Sequence, residues 1–275
     1  MADSSVLELH IEVKKNGLTA VELLSAETAL SNDLIKKVMQ KGAVWLTHGS
    51  STERIRRVKR QLHEGNTVHL YYNPDVIDQS PPTAELIHDG GDYTVWNKPA
   101  GMLSQGSRWG DHTTIYRWAE KHLSPQRPAF IVHRLDRAAH GLILLAHTKK
   151  SAAALSALFQ KRAVKKTYQA TVHGLFSPEQ QPLTIETPID GKPAVSHLTL
   201  VSQDIEQDRS TIKISIETGR KHQIRRHLSE IGHPIAGDRL YGRSSDQEDL
   251  MLCSCKLSFI SPADREEKSF TISTN

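Results

Sequence analysis

AFIVHRLDRAAHGLILLAHT, residues 129–148, sets two apolar runs around a polar centre. Runs of this length and composition read as buried strands, which places Asp136 at the junction between them. A carboxylate there is costly unless it is paired or put to use. The residues alone leave two readings open: a structural Asp satisfied by backbone amides, or a reactive group.

Outward from this stretch the chain shows a regular pattern. Strands are expected at DYTVWNKP (92–99), AFIVHRL (129–135), GLILLAHT (141–148), KTYQATVHG (166–174) and LTIETPI (183–189). Further strands are expected at SHLTLVSQ (196–203), TIKISIETG (211–219), MLCSCKLSFI (251–260) and SFTIST (269–274). Helices are expected at TTIYRWAEKHL (113–123), KKSAAALSALFQKR (149–162) and RKHQIRRHLSEIG (220–232). Strands outnumber helices and do not alternate with them. The fold class is therefore α+β, a mixed and largely antiparallel central sheet with flanking helices.

A boundary falls at DVIDQSPPT (75–83), whose acids, Ser and Pro pair disfavour helix and ladder alike. It divides the chain into a small unit, residues 1–80, and a larger one, residues 81–275. In the small unit LELHIEV (7–13) alternates as a strand, and TAVELLSAETAL (19–30) and SNDLIKKVMQKG (31–42) have helical spacing, with Ser31 or Asn32 as N-cap. AVWLTHG (43–49) and TVHLYYN (67–73) read as strands around a basic loop.

Composition bounds the function. Hydrophobic residues make up 37% of the 275 and charged residues 24%, a globular balance. The start carries no signal pattern and no apolar run is long enough to span a bilayer, so a cytoplasmic address is expected, without membrane partners. Cys253 and Cys255 read as reduced residues of one strand, with the spacing of neither a zinc site nor a disulfide framework. The net charge of +4 permits a polyanion partner. Its distribution says more: Lys36, Lys37 and Lys41; Arg54, Arg56, Arg57, Lys59 and Arg60; Lys161, Arg162, Lys165 and Lys166; and Arg220, Lys221, Arg225 and Arg226 form four clusters. Each alone is an ordinary solvated face; together they suit phosphate contacts.

Four blocks in order carry a resemblance. HRLD (133–136) followed by a Gly and an apolar strand resembles the signature of the RluA-like pseudouridine synthases, RNA uridine isomerases. VWNKPAGMLSQG (95–106) resembles their Asn-Lys-Pro segment, and KKTYQATVHG (165–174) the segment of their active-site tyrosine. ETGRKHQIRRHLSEIGHPIAGDRLYG (217–242) resembles their TGR-x-HQIR block and the Gly-Asp-x-x-Tyr-Gly turn after it. The resemblance spans about residues 90 to 260, and four ordered blocks are far more specific than any one of them. The small unit resembles a degenerate S4-like (alpha-L) RNA-binding domain.

The resemblance implies a pseudouridine synthase fold and an RNA partner, ribosomal or transfer RNA, with no cofactor, no metal and no small-molecule partner. It implies that Asp136 is the nucleophile, that Arg225 is its ion-pair partner, and that Tyr168 lies on the base and handles a proton. Ile224 is implied to pack the uracil and Arg134 to fill the space left by the extruded nucleotide. His133, Arg220, Gln223 and His140 join them as expected substrate-binding residues. One departure stands out: the family has Thr-Ser before the Gly that follows HRLD, and this chain has Ala139-His140-Gly141. A monomer is expected.

Two rival readings make different demands. A non-catalytic RNA-binding protein on a degenerate synthase fold would have lost Asp136, Tyr168 or Arg225, and all three stand. A metal hydrolase would need grouped ligands; His222 and His227 are five apart and drift off one helical face, and His133, His140, His147, His173, His197 and His233 form no ligand pattern.

Overall fold

Burial alternates along strands such as Leu7–Glu12 and Thr67–Tyr72 and is nearly continuous along Tyr93–Lys98 and His140–Ala146. In the computed structural model, which describes residues 5–177, 179 and 181–274, the chain forms two units. One comprises Met1–Pro81 and Gln105–Trp118, the other Pro82–Ser104 and Ala119–Asn275. The segment 105–118 therefore folds with the small unit, although the chain reaches it only after entering the larger one. No linear boundary near residue 80 anticipates that return.

The small unit is built from β1 (Leu7–Glu12), α1 (Ala20–Glu27), α2 (Asn32–Gln40), β2 (Val44–His48), β3 (Ser51–Arg54), β4 (Thr67–Tyr72) and α3 (Pro74–Ile77). Thr19 and Glu22 close a capping box at the start of α1, and the Ser31 hydroxyl accepts from Leu34 N at 3.3 Å at the start of α2. Its antiparallel sheet runs β1-β4-β2-β3. Val44, Leu46, Val68 and Leu70 point to a core shared with Val21, Leu24, Ile35, Val38 and Met39. Two expectations are corrected here. Part of the basic loop is the strand β3, paired with β2. The start of the boundary stretch is the single helical turn α3, because Pro74 at its first position and the Asn73 side chain, accepting from Asp75 N at 3.0 Å, favour a helix start.

The larger unit contains β5 (Glu85–Asp89), β6 (Tyr93–Lys98), the end of α4 (Ile115–His122), β7 (Phe130–Ile131), β8 (His140–Ala146), α5 (Lys149–Gln160), β9 (Lys165–His173), β10 (Leu183–Ile185), β11 (Ser196–Asp204), β12 (Arg209–Ile216), α6 (Gln223–Glu230), β13 (Leu252–Ile260) and β14 (Glu267–Thr271). Ten strands join in one sheet, along the path β10-β11-β12-β9-β13-β8-β6-β5, with β14 on β13 and β7 on β8. The named pairings are antiparallel except β13 on β8. Leu142, Leu144, Leu155, Leu257 and Phe259 make a core under α5. The expected strand at 129–135 shrinks to β7, since the chain must leave the ladder to form the loop that carries Asp136. β5 was not expected; its paired register with β6 creates it. Cys253 is buried and Cys255 half-buried, both free; Cys255 is the extra residue where the register with β9 shifts, so the two do not simply share a face.

Candidate active site

The site forms where the centre of the sheet meets the N-terminus of α6. Asp136 lies in the loop between β7 and β8, and that loop is clamped from below. Lys98, at the end of β6, is fully buried. Its Nζ donates to the carbonyls of Pro99 (3.0 Å), Met102 (3.0 Å), Arg137 (3.4 Å) and Ala139 (2.7 Å). The Ser104 hydroxyl donates to Leu135 O at 2.7 Å and accepts from Leu135 N at 3.0 Å. Gly101 N donates to Arg137 O at 2.8 Å. The Asn-Lys-Pro segment thus holds the backbone on both sides of Asp136. Burial pushes Lys98 down to about 7, and the Asp136 carboxylate pulls the other way.

At the far end of the loop, Gly141 takes φ +112° and packs onto β13. A Cβ there would lie 2.5 Å from the Ser254 carbonyl oxygen and 2.6 Å from its nitrogen. The glycine after HRLD is required because β8 and β13 could not pair in parallel over a side chain.

A cleft of about 830 Å³ opens beside the loop. Asp136, Tyr168, Arg225, Arg134, Ile224, His133, Arg220 and Gln223 all line it; His140 does not. His140 instead begins β8, paired with Cys253. The side-chain carboxyl of Asp136 is about a third exposed, open to a ligand without being free in solvent. Arg225 Nη1 stands 3.6 Å from its Oδ2, and His222 Nε2 stands 3.9 Å from its Oδ1. Tyr168, on β9, is buried, and burial with the Asp136 carboxylate raises its phenol above the ordinary range.

Arg225 has a tighter partner than the one expected. Its Nε and Nη2 donate to the two oxygens of Asp238 at 2.7 and 2.6 Å. Asp238 also accepts from Leu240 N and Tyr241 N, at 2.9 and 3.1 Å. This fork aims the remaining nitrogen, Nη1, at Asp136. Burial works against both charges, but each holds the other ionised: Arg225 is raised and Asp238 lowered. The Tyr241 ring lies 5.1 Å from the guanidinium carbon, and its hydroxyl is 2.9 Å from His222 Nδ1. His222 adopts φ +54° at the mouth of α6 and delays that helix to Gln223, which shortens the helix expected from residue 220. Burial lowers its pKa, against the pull of Asp136.

Gln223 lines the cleft, yet its amide is committed. It accepts from the Thr218 hydroxyl and Arg220 N and donates to Val195 O and the Ser196 hydroxyl, so it braces the turn before α6. His133 stacks on Phe159 with centroids 4.4 Å apart and accepts from Leu144 N at 2.9 Å. Desolvation, with Lys166 adding to it, takes His133 down to about 3, so it is neutral in use. Arg134 is exposed at the rim, as are Arg162 and Lys165. Not all of the basic clusters reach solvent free of partners: Arg54 and Arg56 pair with the buried Asp111, and Arg226 with Asp190.

Asp238, Tyr241, His222 and Lys98 were not among the expected site residues. The Gly-Asp-x-x-Tyr-Gly turn, the Asn-Lys-Pro segment and, for His222, the TGR-x-HQIR block were the signals that could have found them. Among the described residues no three His, Cys, Asp or Glu side chains gather to hold a metal, and no helix is long and apolar enough to cross a membrane.

Residues 92–230 match the family of RNA pseudouridylate synthases. An uncharacterized RNA pseudouridine synthase of Aquifex aeolicus is 30% identical, with 99% of this chain and 94% of that one covered. The dual-specificity RNA pseudouridine synthase RluA of Vibrio parahaemolyticus is 31% identical over 70% of this chain and 82% of its own. The ribosomal large subunit pseudouridine synthase D of Neisseria meningitidis is 32% identical over 72% of this chain and 58% of its own. Among solved structures, human RNA pseudouridylate synthase domain containing 1 superposes with a TM-score of 0.60 at 22% identity, over 71% of this chain and 86% of that one.

Proposed function

The chain belongs to the RNA pseudouridylate synthase family, an RNA-acting isomerase, and from that premise we propose that it converts a specific uridine of a structured ribosomal or transfer RNA to pseudouridine with Asp136 as nucleophile. The observation that carries the assignment is the meeting, in one cleft, of the Asp136 carboxylate, the free arm of the Asp238-anchored Arg225 and the Tyr168 phenol.

The isomerisation breaks the bond from ribose C1′ to N1 of uracil and forms one from C1′ to C5. The C5 proton is lost and N1 gains one, so the formula is unchanged. A carboxylate nucleophile splits this exchange into easier steps. The attacking form is the carboxylate, and Arg225 Nη1 sets a positive charge 3.6 Å from it. Tyr168 offers a face for the detached uracil and a polar tip for the proton that leaves C5. Its raised pKa keeps the phenol protonated at neutral pH, so it acts by hydrogen bonding and relay. Ile224 packs the base, and the exposed Arg134 occupies the gap in the RNA once the nucleotide is flipped. Arg220 and the rim cations Arg162 and Lys165 suit the flanking phosphates. The small unit is taken as an S4-like RNA-docking unit, and the enzyme as a cytoplasmic monomer.

The test maps pseudouridine in RNA from cells with and without the gene, complemented by wild type or by Asp136→Asn. At least one site should vanish without the gene and return with wild type alone. Restoration of every lost site by Asp136→Asn ends the nucleophile assignment.

A further inference from the structure

The sheet of the small unit turns one face to its core and carries rings on the other. Register sets His10, His69, Trp45 and Arg54 in a single row across all four strands. Tyr71 follows His69 on the same face of β4, the two rings stacked within 13° with centroids 6.4 Å apart. The returning segment 105–118 adds Arg108 and Trp109. Trp45 Nε1 donates to Arg108 O at 3.0 Å, and the Trp109 ring meets Tyr71 edge-on at 5.7 Å. The Arg108 guanidinium lies 5.2 Å from the Tyr71 centroid and 5.3 Å from that of Trp109, held there by Glu8 at 2.9 Å. The Arg54 guanidinium sits 4.0 Å over Trp45. Between them lies a recess of about 330 Å³ lined by Trp45, Thr47, Thr52, His69, Tyr71 and Arg108.

A solvent-facing sheet surface ordinarily carries polar side chains. Here the core is supplied by the opposite face, and the Trp45 and Tyr71 rings, half-buried against the segment 105–118 and the arginines, take no part in it. The lining includes no Leu, Ile, Val or Met, and its edges are hydroxyls, a histidine and a guanidinium. Thr47, Thr52 and His69 bond one another and Arg108 bonds Glu8, so the recess offers ring faces and positive charge in place of an aliphatic surface. A flat ring bearing hydrogen-bonding edges, on a polyanionic strand, suits both the aromatic floor and the arginine rim. Arg57 and Lys59, exposed in the loop that continues from the Arg54 edge, extend the positive charge.

We propose that this face docks one or two unpaired bases of single-stranded RNA, stacked against Trp45 and Tyr71 beneath the Arg108 guanidinium. The proposal rests on the reading of the chain as an RNA-acting enzyme, and uses none of the cleft residues.

The experiment irradiates the full chain with a short thiouridine-substituted oligouridylate and measures the affinity of the same oligomer by titration. Adducts are expected in peptides carrying Trp45, Tyr71 or Trp109. Tyr71→Ala and Arg108→Ala should each weaken binding about tenfold, with Tyr71→Phe within about twofold of wild type. With the RNA identified by mapping, Tyr71→Ala should raise KM and leave kcat unchanged. Should Tyr71→Ala fail to fold, Arg108→Ala, an exposed position, and the wild-type adduct map carry the test. Adducts confined to other peptides, unchanged affinity in Arg108→Ala, or equal binding of a fully paired duplex overturns the proposal. Adducts at Tyr71 in a protein that makes no pseudouridine leave this docking face standing and remove the enzymatic reading. Asp136→Asn, inactive but cross-linking as wild type, separates the two in the other direction.

Discussion

Arg225 serves two carboxylates unequally, and its energetics follow from that. The fork to Asp238 is short, bidentate and buried; the contact to Asp136 is single and longer. Removing the guanidinium leaves Asp238 with no solvent exposure and only backbone amides to hold its charge. Arg225→Ala should therefore lower unfolding stability by about 3–5 kcal/mol in urea titrations, besides collapsing turnover while RNA still binds. An unchanged urea midpoint would contradict the Asp238 account; unchanged turnover would remove Arg225 from the site. His133 gives a second test at this scale. Its folded pKa, about 3, is depressed below the unfolded value near 6.5. The unfolded chain binds the proton first, so this contribution is fully present above about pH 6.5 and is lost as pH falls toward about 3. His133→Gln, which keeps an acceptor for Leu144 N, should flatten that acid limb in urea midpoints measured across the window. Parallel curves for the two proteins would show that another group is responsible.

Among the elements, the loop between β7 and β8 owes its shape to neighbours rather than to its own sequence. Lys98 supplies one end of the clamp and Gly141 the other. Lys98→Met keeps much of the volume and leaves the Pro99, Met102, Arg137 and Ala139 carbonyls without that donor. It should cost about 2–4 kcal/mol and reduce kcat more than it raises KM, because the loss falls on the placement of Asp136. A variant as active as wild type would mean that the loop holds itself. Gly141→Ala adds a methyl against the Ser254 backbone at a φ that L-residues avoid. Circular dichroism and thermal melts should find it at least about 3 kcal/mol less stable, or unfolded. A wild-type melt would show that β8 and β13 can part without consequence.

For the molecule as a whole, charge is spent in two ways. Arg54, Arg56, Arg225 and Arg226 hold buried or local carboxylates, while Arg134, Arg162 and Lys165 remain exposed at the cleft rim. Net charge alone could not sort these. RNA affinity should fall steeply with salt, and Arg162→Ala or Lys165→Ala should each reduce the slope of log affinity against log salt by about one. Arg226→Ala, already paired with Asp190, should leave the slope nearer to wild type. Equal slopes for all three variants would refute this partition.

The four motif blocks and the α+β class were legible because each is written in local pattern: apolar alternation, a glycine at a turn, a polar group between buried runs. The gathering of Asp136, Tyr168 and Arg225 was implied only by the family resemblance that those blocks carry. The return of 105–118 was not legible, because packing with residues distant in sequence creates it. The strands β3 and β5 are short partners in hairpins with β2 and β6, and α3 is a single turn started by Asn73 and Pro74, each too brief to show a period of its own. The same holds within the site. The side chains at 136 and 225 come from the chain itself. That Arg225 turns its fork to Asp238 and only one nitrogen to Asp136, that Gln223 braces a turn, and that His140 enters a strand instead of the cleft were decided by tertiary structure. Hydrogen-bond geometry depends on where backbones meet in space, and one-dimensional spacing carries no distance between groups a hundred residues apart.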